Sequence, residues 1–205
     1  GGAVGMMSGD LVVTDSVISG NGIYSKSGSV VGGAIYGLST GTATLTRCTI
    51  SNNVVSALAS GKSSSASAIG FYYGNLILDE TEISGNQTIS AEENDSSGGT
   101  VSWSSSGNMT VKGKVIVKDN IYKYSNNEIP SNIQISKSCQ MSTKDLSSGS
   151  YMGITSQVAP TLGSPVVFSP SSKAISTINY FFSDNEEYTI SKSSSGDLQI
   201  EYPPN

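Results

Sequence analysis

Nine of the sixteen carboxylates of this chain fall into three clusters: Asp79, Glu80 and Glu82, then Glu92-Glu93-Asn94-Asp95, and finally Asp184-Asn185-Glu186-Glu187. Two chemistries could start from such groups. Paired carboxyls set about 5 to 9.5 Å apart across a sugar hydrolyse glycosidic bonds, and clustered Asp, Asn and Glu oxygens coordinate calcium. The first cluster is too local to frame a cleft. The other two match neither the EF-hand spacing nor the Gly-rich Asp repeat of calcium-loaded β-rolls, and read as solvated acidic turns. The chain has no histidine, which removes Ser-His-Asp and Cys-His nucleophiles and His-based metal sites. A polysaccharide lyase would need a cationic base or neutraliser, and Arg47 is the single arginine. The residues therefore nominate no catalytic group, no metal ligand and no cofactor site.

Binding chemistry is better represented. Tyr72, Tyr73, Trp103, Tyr122 and Tyr124 could stack on sugar rings, although Trp103 and Phe71 fall in a pattern position that favours packing. Lys62, Glu92, Glu93 and Asp95 supply charge in two segments of irregular polarity. Together with Tyr72 and Tyr73 they form the candidate binding set. Net charge is −5 with scattered lysines, and phosphate binding needs a concentrated Lys/Arg surface, so nucleic acid is excluded as a partner. No stretch approaches the ~20 apolar residues of a helical membrane span.

These residues must be held by a repeat. Gly1-Gly2-Ala3-Val4, Gly32-Gly33-Ala34-Ile35, Ala66-Ser67-Ala68-Ile69 and Gly98-Gly99-Thr100-Val101 start four units. Each unit carries an Ile/Val-x-x-Asn element ending at Asn21, Asn53, Asn86 or Asn120, at successive spacings of 32, 33 and 34 residues. A fixed period of this size marks stacked supersecondary units. Inside a unit, residues alternate with period two, as in Ala43-Thr44-Leu45-Thr46, while helical periodicity is absent. Val13, Leu45, Leu78 and Val111 form one apolar column. Ile18, Ile50, Ile83 and Val117 form a second, and Val4, Ile35, Ile69 and Val101 a third. Three short strands per unit predict an all-β chain: a right-handed parallel β-helix of about four coils over 1–120. The register puts Asp15, Arg47 and Glu80 side by side on the outside. The Gly-Gly pairs suit corners, and the asparagines, which tolerate the left-handed region, can also bond side chain to side chain. Cys48 shares a column with Ser16 and Thr81 and reads as a small side chain in a tight space. It and Cys139 are either two buried thiols or a disulfide.

The GGAI-like start and the Ile/Val-x-x-Asn element resemble the GGAI and FxxN repeats of chlamydial polymorphic outer membrane proteins and of other bacterial surface β-helix proteins. Ile or Val stands where those repeats have Phe, and the third unit departs from GGAI. The resemblance covers about residues 1–120 and implies a secreted, surface-displayed passenger or adhesin-like segment; because Gly1-Gly2 already lies inside a repeat unit, a longer precursor is expected.

Segments 22–31, 54–65 and 87–97, between each asparagine and the next unit, vary in length and charge and are expected to be edge loops. Beyond Asn120 the period is lost, and 121–205 reads as a β-rich C-terminal cap ending in a hairpin that turns at Gly196-Asp197. A separate lectin-like module is the competing reading of that tail. The acids Asp184, Glu186 and Glu187 carry no expected role, so Asn or Gln there should leave stability intact. The function expected is adhesion or display at the cell surface or outside the cell, with a host protein or glycan held by the variable edge. A carbohydrate-active enzyme and a structural spacer are the alternatives.

Overall fold

An alternating strand has one apolar face that must be buried against something, and here each buries it inside a parallel solenoid. The computed structural model describes residues 2–38, 40–93, 99–103, 107–135, 140–173 and 178–203. Three walls enclose the core. The first stacks Val4–Met6, Ile35–Leu38, Ile69–Tyr72, Val101–Trp103 and Ile133–Ile135. Leu11–Thr14, Thr42–Thr46, Asn75–Asp79, Asn108–Gly113 and Gln140–Leu146 make the second. Val17–Ser19, Thr49–Ser51, Glu82–Ser84, Ile116–Lys118 and the start of Tyr151–Ser156 make the third.

The three columns read from the sequence are the observed registers. Val4, Ile35, Ile69 and Val101 lie in line, as do Val13, Leu45, Leu78 and Val111, and Ile18, Ile50, Ile83 and Val117. There are about five turns rather than four, because Ile133, Thr143 and Met152 extend all three columns. Two corner columns require left-handed backbone: Asp15, Arg47, Glu80 and Gly113 (φ 48 to 64°), then Gly20, Asn52, Gly85 and Asp119 (φ 56 to 68°). That conformation costs an ordinary residue roughly 1–2 kcal/mol. Arg47 and Glu80 adopt it only because the turns above and below fix the path. Arg47 stacks on Asp15 as the spacing requires, with Nε to Oδ1 at 2.6 Å and Nη2 to Oδ2 at 2.7 Å.

One expectation is corrected. The three segments read as edge loops each contain a fourth strand, Gly22–Ser25, Val54–Ala57 and Gln87–Ser90, which stack in parallel with Ile121–Tyr124 from the start of the tail and are closed by the antiparallel Asn127–Pro130. They form a side lobe with its own small interior of Val55, Ala57, Ser64, Thr88, Ser90 and Tyr122. Period two is masked there because Thr and Ser take inward positions. The lobe leaves each turn at the asparagine and returns at the Gly-Gly-Ala corner.

In the fifth turn the chain takes no such excursion. Met152 pairs with Val117 on the third wall and Ile154 with Ile133 on the first, with Gly153 alone between them. Phe181–Ser183 adds one more strand on top. Val166–Ser169, Leu198–Glu201 and Thr189–Lys192 form an antiparallel sheet over the end, the last two as the expected hairpin. Val166, Phe168, Phe181, Leu198 and Ile200 join the same buried cluster as Met141, Met152 and Ile154. Cys48 is buried and free, with Sγ 3.3 Å from the Thr46 carbonyl; Cys139 lies outside the described residues. Among the described residues no helix is long and apolar enough to cross a membrane.

Leu45 is fully buried between Val13 and Leu78, whereas Thr44 faces outward. Leu45→Asp should therefore cost more than about 4 kcal/mol, as expected for an unpaired buried charge. Thr44→Asp should stay within about 1 kcal/mol in a urea melt, since outward substitutions rarely cost more.

Candidate functional site

The exit corner positions a chain of amides. Asn53, Asn86, Asn120 and Asn132 are all buried. Asn21 N and Nδ2 both donate to Asn53 Oδ1 at 3.0 Å. Asn53 donates the same pair to Asn86 (3.0 and 2.8 Å), and Asn86 to Asn120 (3.0 and 2.9 Å). Asn120 donates to Asn132 at 3.3 and 2.8 Å. In each of these amide-to-amide bonds the donor points toward the C-terminal end. The last amide thus needs a partner that only accepts, and finds the Asp184 carboxylate. Asn132 N donates to Oδ2 at 2.8 Å, Asn132 Nδ2 to Oδ1 at 2.6 Å, and Thr155 Oγ1 to Oδ2 at 2.5 Å. Burial pushes the Asp184 carboxyl above the usual carboxylate range, and the bonds from Thr155 and Asn132 offset part of that rise.

Asp184 also lies in the wall of a cleft of about 610 Å³ between the lobe's last strand and the tail. Glu186, Glu187, Tyr188, Ile129 and Ile154 line it as well. Sequence reading named these acids but gave them no place. The signal available was that the 32–34-residue asparagine period stops at Asn120: a ladder of amides has to end on an acceptor supplied from elsewhere. The geometry speaks against the expectation that Asp184 tolerates Asn: both carboxylate oxygens accept hydrogen bonds and an amide has one oxygen to accept them, so Asp184→Asn should lower stability.

The residues nominated for binding divide into two groups. Tyr72 projects outward from the first wall beside Tyr36, their rings edge-on with centroids 6.1 Å apart. Gly5 and Gly70 pair with Tyr36 in the same outward column; Val31 and Ala66 occupy the space beside Gly70, and Tyr36 and Tyr72 are half-buried. Tyr73 follows at the corner, 57% exposed. Burial, reinforced by the Tyr72 and Tyr73 hydroxyls, raises the Tyr36 phenol above its usual pKa. The second group sits at the lobe's tip. Ser60 donates to the Glu92 carboxylate, Lys62 is exposed on the neighbouring turn, and Asp95 lies outside the described residues. Tyr122 is not a surface platform. It is 6% exposed, and its hydroxyl pins the tip by donating to the Glu92 and Glu93 carbonyls at 2.8 and 2.6 Å. Phe71 and Trp103 are core residues, as their column implies.

The first acidic cluster is dispersed. Asp79 pairs with Lys112 Nζ at 2.9 Å, Glu82 accepts from Ser84, and Glu80 is the exposed corner residue. No set of three or more Asp, Glu or Cys among the described residues is placed to hold a metal ion.

No family model, curated protein or solved structure matches this chain. The site therefore has to be interpreted from its own geometry.

Asp184→Ala leaves Asn132 Nδ2 and Thr155 Oγ1 without this acceptor, while Asn132 N keeps Thr155 Oγ1 at 3.0 Å; it should cost about 2 kcal/mol, within the usual penalty for unsatisfied groups. Glu186→Gln and Glu187→Gln should leave the urea midpoint unchanged. The pH profile gives a separate check. The folded pKa of Asp184 is raised above the unfolded one. Its contribution to stability is therefore fully present below the unfolded pKa and is lost as pH rises through the folded pKa. Wild type minus Asp184→Ala, followed by urea denaturation at successive pH values, should show that decline.

Proposed function

We propose that this chain is a non-catalytic, adhesin-like segment of a bacterial cell-surface or secreted protein, and that it holds a host glycan on the outer face of its first wall. The observation that carries this reading is the outward tyrosine group on a rigid parallel sheet, with Tyr36 and Tyr72 half-buried edge-on to each other and Tyr73 exposed beside them. Aromatic rings present large area at low conformational cost and carry a polar tip, which suits a sugar with one apolar face and a hydroxyl edge. The rings are fixed before any ligand arrives, because Tyr36 and Tyr72 sit on paired strands, so little side-chain entropy remains to be lost on binding.

The state of the carboxylates supports binding over hydrolysis. Both oxygens of Asp184 are engaged by Asn132 and Thr155, and Asp79 is engaged by Lys112. The surface or secreted setting follows from the resemblance of the repeats to those of bacterial surface β-helix proteins. The tip residues Lys62, Glu92 and Glu93 would set which glycan or glycoprotein is preferred, since they border the variable part of the lobe.

A glycan array probed with the purified chain tests this directly. Tyr72→Ala and Tyr73→Ala should each weaken retained binding about fivefold or more, the loss of about 1 kcal/mol of aromatic contact, without lowering Tm for the exposed Tyr73. Binding that survives both substitutions, or release of reducing sugar from the bound glycan, would overturn the assignment.

A further inference from the structure

We propose that the cleft at the C-terminal end of the solenoid binds an alkylammonium or guanidinium group, with Glu186 and Glu187 as counter-charges and Tyr188 as an aromatic wall. This site is separate from the tyrosine face of the first wall.

Four observations converge on a cation of organic size. The cleft, at about 610 Å³, falls in the range of small-molecule sites. Three carboxylates line it and no lysine or arginine does. Glu186 and Glu187 are exposed, and their carboxylates make no hydrogen bond or ion pair among the described residues. Asp184 is bound only by neutral donors. The acids are also not gathered tightly enough for a metal: no cluster suited to one occurs among the described residues. A compact divalent ion would need them to converge on one point, whereas a diffuse cation with an alkyl stem needs them spread along a wall.

The rest of the lining fits the stem and head of such a ligand. Ile129, Pro130, Ile154 and Ala159 give an apolar side along which methylenes can lie. Tyr188 is half-buried and braced edge-on by Tyr202, with centroids 5.2 Å apart at 88°. A ring so held can offer its face to a cation. Asp184 adds linkage. Its carboxyl is raised by burial without a compensating charge, so a bound cation favours its ionised form and affinity should rise with pH until Asp184 is ionised.

The chemistry could come from a free amine or from a Lys or Arg side chain of a protein, and titration calorimetry with the full chain separates them. Cadaverine and agmatine form one arm, a pentapeptide bearing one central Lys or Arg the other, and calcium chloride a third. Binding in either of the first two arms, weakened at least about fivefold in Glu186→Gln/Glu187→Gln and weakened by added salt, supports the site. Tighter binding of the peptide assigns it to a protein partner; equal or tighter binding of the free amine assigns it to a small cation. These variants leave the amide ladder intact, so unaltered Tm excludes misfolding as the cause. Failure of the wild type to bind either probe overturns the proposal. So does equal affinity of the double variant, or calcium binding that amines do not compete with.

Discussion

A polarised row of amides sets the terms for the whole molecule. Each ladder asparagine uses one oxygen to accept two donors from the asparagine before, and passes its backbone N–H and one Nδ2 hydrogen onward. A chain of hydrogen bonds with a single direction cannot be terminated by another copy of itself. It begins where donors are sufficient and ends where a group with only lone pairs is available. This explains why the last ladder position is a carboxylate just past a distant strand, 52 residues along the chain from Asn132. The tail is thus tied to the repeats by more than apolar contact. Its strands close over Met141, Met152 and Ile154, while its aspartate completes the polar side of the same end.

The ladder also accounts for how two cores coexist in one turn. The walls enclose a continuous apolar interior, and the lobe encloses a second, more polar one. Between them runs the buried row of amides. Asn53 Nδ2, Asn86 Nδ2 and Asn120 Nδ2 reach the carbonyls of Ile18, Ile50 and Ile83 in the preceding turn at 3.1, 3.0 and 3.0 Å. The neck of each excursion is therefore saturated with hydrogen bonds, which is what a buried polar seam requires.

Much of this was legible in the residues, and the limits have physical reasons. Apolar columns at fixed spacing gave all three walls and their register, because the interior of a solenoid admits only in-register side chains. The outward pairing of Arg47 with Asp15 followed from the same arithmetic. The lobe was hidden because its inward positions carry Thr88, Ser64 and Ser90, so alternation of apolar and polar types fails although alternation of facing persists. The fifth turn was hidden because Asn132 follows Asn120 by only 12 residues. The role of Asp184 was hidden because it comes from a contact between segments far apart in sequence, and no local pattern encodes that. Of the nominated binding residues, Tyr72 and Tyr73 are on an outer face; Tyr122, offered as a ring for stacking, is instead buried with its hydroxyl donated to the Glu92 and Glu93 carbonyls.

The crossing at Gly153 has an implication for how such chains can change. There the backbone passes from third wall to first in one residue, and a Cβ would run into Asn132 Nδ2 and Asp184 Oδ1. The junction is complete without any intervening lobe. Each lobe segment in the earlier turns is therefore an insertion at a joint that closes by itself, so its length and sequence are decoupled from the register of the walls. A solenoid built this way can accept foreign peptide segments at its joints, one per turn and spaced by the strand separation of about 4.8 Å, which makes it a natural frame for displaying a ladder of grafted epitopes.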